Sequence, residues 1–121
     1  MIVYIAGPYM GKTHDYRSYG QIDANINNAR MAAAALAQAG IKFFCPHTHS
    51  AHFEVIAPDA PPEYWYDLDM HFLQVCDTIL MLPGSENSHG ARMELDHARA
   101  KGMQVFYNID SLINYHAQTV L

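Results

Sequence analysis

The chain has 121 residues, half of them hydrophobic, which is room for one domain built on one core. Its formal net charge is −5 and it has no run of Lys or Arg, which excludes a nucleic-acid polymer as partner while leaving room for one small anion. Two cysteines, Cys45 and Cys76, are too few for a disulfide scaffold and lack metal-ligand spacing, so both read as buried thiols of a reducing compartment.

In chain order, Ile2-Val-Tyr-Ile-Ala6 is a short β-branched run that stops at Gly7-Pro8, a buried first strand. After a polar loop over residues 9–20, residues 22–39 are rich in Ala, Asn and Leu and end at Gly40, which predicts a helix. Residues 41–45 form a second strand closed by Pro46. Residues 47–62 carry three His and three Pro and read as a loop with at most one helical turn. Pro62-Glu63 opens a second helix with Trp65, Leu68, Phe72 and Val75 spaced along one face. A third strand covers residues 78–82, a third helix residues 88–101 and a fourth strand residues 104–107, with a short helix after it. No early apolar run has the form of a signal peptide and no stretch reaches membrane-spanning length, so a cytoplasmic protein without a membrane partner is expected.

This alternation predicts one α/β domain over residues 1–121, a parallel sheet of four to five strands between helices. In such folds ligands bind beyond the C-terminal strand ends. That rule selects the loops over residues 7–20, 47–62 and 83–90.

Gly7-Pro-Tyr-Met-Gly-Lys-Thr13 resembles a phosphate-binding loop but has three residues between its glycines where the motif needs four, so an ATPase is not the reading. Gly7, Pro8, Tyr9 and Lys12 can still face a ligand. His47, His49 and His52 lie close enough in sequence to share a metal ion, yet no carboxylate or thiol completes a set, and no metal or other cofactor is assigned. Ser88 stands where a helix N-cap belongs, next to His89 and Gly90, so free backbone N–H groups there suit an anion, although a Ser at a helix start is also simply a cap. Glu94 falls at the edge of the apolar stripe of that helix, and Asp69 at the equivalent edge of the preceding one. One carboxylate at a stripe edge is ordinarily solvated. Two at neighbouring edges are the equipment of glycosyl transfer, one to attack the anomeric carbon and one to handle the proton of the leaving group.

The Tyr4-Ile-Ala-Gly-Pro-Tyr9 run, the Asp69-(x)7-Asp77 spacing and Ser88-x-Gly90-(x)3-Glu94 resemble the nucleoside 2-deoxyribosyltransferase superfamily. Pro46-(x)2-His49-Ser50, Tyr64-Trp65 and Leu82-Pro83-Gly84 are most similar to a branch of short bacterial and phage proteins within it. The resemblance implies a flavodoxin-like fold and a homo-oligomer, a homodimer or larger, whose sites borrow residues from a neighbour. It implies Glu94 as the nucleophile that forms a covalent glycosyl intermediate, Asp69 as the acid beside the nucleobase, and Tyr9 beside the sugar.

Six residues before that nucleophile the transferases carry Asp, whereas the related 2′-deoxynucleoside 5′-monophosphate N-glycosidases carry Ser. Ser88 therefore points to a nucleotide and to water as acceptor. The chain departs from those glycosidases in the first loop, with Pro8 and Met10 where they have Ser and Arg, so Lys12, Arg17 or Arg92 must supply the phosphate contact. The expected ligand is a small nucleoside or nucleotide. The base, the sugar and the choice between hydrolysis and transfer stay open. The rival readings are a non-catalytic nucleotide-binding sensor domain, and a phosphoribohydrolase, whose Gly spacing fits less well.

Overall fold

The computed structural model of the chain describes residues 1–10 and 19–119. Strand β1 (Ile2–Ala6) is buried along nearly its whole length, as a strand flanked on both sides and covered on both faces must be. It pairs in parallel with β2 (Lys42–Phe44) on one side, Ile2 opposite Lys42, and with β3 (Thr78–Met81) on the other, Val3 opposite Thr78. Strand β4 (Gln104–Phe106) adds to β3, giving an all-parallel sheet of order β2-β1-β3-β4.

Side-chain alternation along β1 divides the core. Val3 and Ile5 pack with Leu80 against Ala29, Ala33 and Leu36 of α1 (Tyr19–Gln38) and Leu112 of α6 (Ile109–Thr119). Tyr4 and Ala6 face the other way, with Ile79 and Met81, against Met70 and Leu73 of α4 (Pro62–Gln74) and Ala91 and Ala98 of α5 (His89–Ala100). The small alanines of α1 and α5 let both helices lie close to the sheet. Helices on both faces of a parallel sheet define a flavodoxin-like three-layer α/β fold.

The chain leaves β1 toward β2 and then returns across β1 to β3, so the winding direction reverses between β1 and β3. That reversal opens a crevice at their C-terminal ends. The two ends are pressed together: a Cβ on Gly7 would lie 3.0 Å from both Cβ and Cδ1 of Leu82, which is why glycine stands there. Gly84 turns the chain after β3 with φ of 89°, the left-handed region that glycine occupies without strain.

Several boundaries differ from the expectation. Helix α1 starts at Tyr19, one turn early. The segment after β2 holds two short helical turns, α2 (Pro46–His49) and α3 (Phe53–Ile56), where one was expected. The inward face of α4 is Met70 and Leu73, whereas Val75 caps the helix and is 67% exposed. Trp65 and Phe72 are only half-buried, because Phe72 stacks on Phe44 of the edge strand β2 with centroids 4.1 Å apart and Trp65 turns toward the crevice. Cys45 and Cys76 are buried free thiols, as read. Among the described residues no helix is long and apolar enough to cross a membrane.

Candidate functional site

A cavity of about 490 Å³ occupies the crevice. Its floor is Gly7, Pro8 and Tyr9 at the end of β1; α4 contributes Trp65, Tyr66 and Asp69, and α5 contributes Gly90, Ala91 and Glu94. Ser88 lines it as well. Helix α3 contributes Phe53 and Glu54. Asp69 and Glu94, noted separately as stripe-edge acids, thus share one cavity.

The feature that sequence reading missed is Tyr4. It is fully buried on β1, on the face toward α4 and α5, and its hydroxyl donates to Oε2 of Glu94. The available signal was chemical: a phenol inside an otherwise apolar buried strand needs a hydrogen-bond partner. Burial pushes the Tyr4 phenol far up, and the Glu94 charge pushes it further, so Tyr4 remains a donor.

Burial raises Glu94 to about 8; the Tyr4 hydrogen bond opposes the shift and the Asp69 charge adds to it. Burial alone raises Asp69 to about 7. The two carboxyls therefore titrate as a pair near neutrality. Hydrogen bonding distinguishes their roles. With Asp69 at about 7 and Glu94 at about 8, the proton held between those values lies mostly on Glu94. The Tyr4 hydrogen bond favours the alternative with Glu94 ionised, and Oδ1 of Asp69, buried with no hydrogen-bond partner among the described residues, suits the neutral acid which that alternative requires.

At the start of α5, Ser88 is the N-cap and its hydroxyl accepts the Ala91 N–H at 3.2 Å. Gly90 lines the cavity, and a Cβ there would meet nothing within 4 Å, so protein packing does not require the glycine. His89, expected as a binding residue, is exposed and is not part of the lining, because the first turn of α5 carries it outward. Arg92 is likewise exposed and away from the cavity, while Lys12 and Arg17 lie outside the described residues. Among the described residues no Lys or Arg lines the cavity.

Tyr9 lines the cavity, but its hydroxyl is already engaged. It accepts the His52 N–H at 2.8 Å and donates to Glu54 at 2.9 Å from Oε2. Asn25 of α1 fixes the same residue through its carbonyl, at 3.0 Å. Tyr4, and not Tyr9, is the phenol that touches Glu94.

The three histidines go separate ways. His47 is buried and donates from Nε2 to the Pro8 carbonyl at 2.9 Å, and burial lowers its pKa, so it pins the first loop as a neutral ring. His49 packs against Phe44 and Phe72, and His52 meets Asp23 at 2.7 Å. Among the described residues no three His, Cys, Asp or Glu side chains are grouped to hold a metal ion. Asp77 lies at the other end of the sheet, where it accepts the Ile2 N–H and the Thr78 hydroxyl, both at 2.9 Å, and ties the starts of β1 and β3 together.

Fold and cavity together define a flavodoxin-like α/β domain with a carboxylate pair at its topological switch point. Within that class, the chain belongs to the family described as "Domain of unknown function (DUF4406)", whose model matches residues 1–107. A search of curated proteins gives no match.

Proposed function

We propose that the domain cleaves or transfers the N-glycosidic bond of a nucleoside or nucleoside 5′-monophosphate, the reading to which the resemblance to nucleoside 2-deoxyribosyltransferases also leads. The observation that carries it is the Tyr4–Glu94 hydrogen bond, made from behind a cavity of nucleoside size that Glu94 shares with the half-buried Asp69.

In this reading the free oxygen of Glu94 attacks C1′ as the C1′–N bond breaks. The bond's electron pair goes to the base nitrogen, which takes the proton of Asp69. A glycosyl ester on Glu94 and a neutral base result. Water, or a second base, then attacks C1′, its proton returns to Asp69, and Glu94 leaves as a carboxylate. Tyr4 holds Glu94 in one rotamer and stabilises its negative charge before attack and after release. The exposed backbone of the α5 start, around Ser88 and Gly90, is where a 5′-hydroxyl or phosphate has room to bind.

The test is release of free base from a panel of nucleosides and nucleotides, followed chromatographically. Wild-type turnover that survives in full in Glu94→Ala contradicts the nucleophile; loss by several orders of magnitude supports it.

A further inference from the structure

The cavity has a third carboxylate that the reaction above does not use. Glu54 sits on α3 and lines the cavity, and its side chain is 15% exposed. It is held by a phenol. Tyr9 donates to Oε2 at 2.9 Å and more loosely to Oε1 at 3.2 Å. Burial raises Tyr9; the His52 N–H works against that and Glu54 adds to it, so the phenol keeps its proton on Glu54.

The support extends one residue further. His52 precedes α3 with φ of 61°, left-handed backbone that a non-glycine residue rarely adopts. This conformation presents its N–H to Tyr9, while its ring is fixed by Asp23 of α1 at 2.7 Å and approaches Glu54 only at 3.8 Å. A strained residue and a saturated phenol thus converge on one side chain.

A carboxylate accepts hydrogen bonds at two oxygens with about four lone-pair sites. Tyr9 supplies one O–H to them, and among the described residues no Lys or Arg lines the cavity. The capacity that remains can accept donors from what binds.

We propose that Glu54 is the specificity-determining acceptor for the hydrogen-bond donors of the bound ligand, with Tyr9 and His52 as its positioning residues. This rests on the reading of the cavity as a nucleoside site. The donors are O–H or N–H groups, which a nucleoside offers on its sugar and on an amino-bearing base.

The experiment uses the intact protein with adenosine, guanosine and cytidine, each paired with its 2′-deoxy counterpart and with the analogue lacking the exocyclic amino group. Binding is measured by calorimetry and base release by chromatography, for wild type, Glu54→Gln, Glu54→Asp and Tyr9→Phe. In Glu54→Gln the Tyr9 hydroxyl donates to the amide oxygen, which leaves an NH2 facing the ligand, donor against donor. KM or Kd should rise about 10-fold or more for the donor-bearing ligand with kcat within twofold, and discrimination against its donor-less partner should vanish. Glu54→Asp should recover part of the loss, and Tyr9→Phe should raise KM by a smaller factor. Loss confined to the 2′-deoxy comparison assigns the sugar, and loss confined to the amino comparison assigns the base.

Unchanged KM and Kd in a folded Glu54→Gln overturn the proposal and leave the glycosidic chemistry intact. If wild type binds the panel without releasing base and Glu54→Gln weakens that binding, the acceptor role stands and the chemistry falls. If wild type binds none of the panel, both fall.

Discussion

Tyr4 and Glu94 are ninety positions apart in sequence, and the Tyr4 hydroxyl donates directly to the Glu94 carboxylate. The central strand thereby reaches through its own core face to orient an acid on α5. A buried carboxyl without such a donor would be driven toward its neutral form.

Removing that donor should therefore cost catalysis more than folding. Tyr4→Phe preserves the ring packing against Phe44 and should lower kcat by about 10- to 1,000-fold. The bond lowers Glu94, so its loss raises the Glu94 pKa further; because Glu94 is the higher of the pair, the basic limb of the pH–rate profile should move upward while the maximum falls. Wild type should show a narrow bell with limbs at about 7 and about 8, set by the carboxyl pair. Steady-state kinetics from pH 5 to 10 on both proteins checks this, and an unmoved basic limb in Tyr4→Phe counts against the account.

The same two carboxyls should oppose folding at high pH. Their folded values lie above their unfolded ones, so the native state binds more protons between roughly pH 4 and 8. Stability contributed by protonation is present below that window and is lost as pH rises through it. Melting temperature should fall across the window, and Asp69→Asn with Glu94→Gln should flatten the fall and melt several degrees higher than wild type at pH 8. Calorimetric scans at successive pH values provide the check.

At the start of α5, Ser88→Ala removes the cap on Ala91 and should cost about 1 kcal/mol. Ser88→Asp keeps a capping oxygen but adds a charge beside Gly90. It should lower kcat/KM for 5′-monophosphates by about tenfold or more while sparing free nucleosides. Equal effects on both substrate classes would remove phosphate from this position.

Gly7 is predicted to resist even a methyl group. Gly7→Ala sets a Cβ 3.0 Å from two atoms of Leu82 and should destabilise by about 1–3 kcal/mol in urea unfolding. Adding Leu82→Ala should recover part of the loss.

Those parts of the fold governed by local chemistry were legible in the sequence. β1 announces itself as five apolar residues before Gly7-Pro8, and Ser88 as a cap before a periodic helix, because both signals are set by neighbouring residues. The stripe-edge positions of Asp69 and Glu94 were legible for the same reason, and the topology rule brought them to one end of the sheet. Tyr4 was not, since an apolar strand pattern hides which face each residue takes and what waits opposite. Glu54 lies in a segment of short turns without periodicity, so nothing local marked it, and only the folded position of Tyr9 reveals it. Val75 failed for a different reason: helix spacing named a face, but the last turn had already left the sheet.

The central claim is a covalent bond between C1′ and Glu94, and mass spectrometry of the intact protein tests it most directly. A 2′-fluoro-arabino nucleoside, whose fluorine slows release of the sugar, is incubated with the enzyme, which is then quenched in acid and digested. The account predicts a mass increase equal to the fluorinated sugar residue, located on the peptide containing Glu94 and missing from Glu94→Gln. Base release without any sugar adduct, or an adduct on another residue, would contradict it.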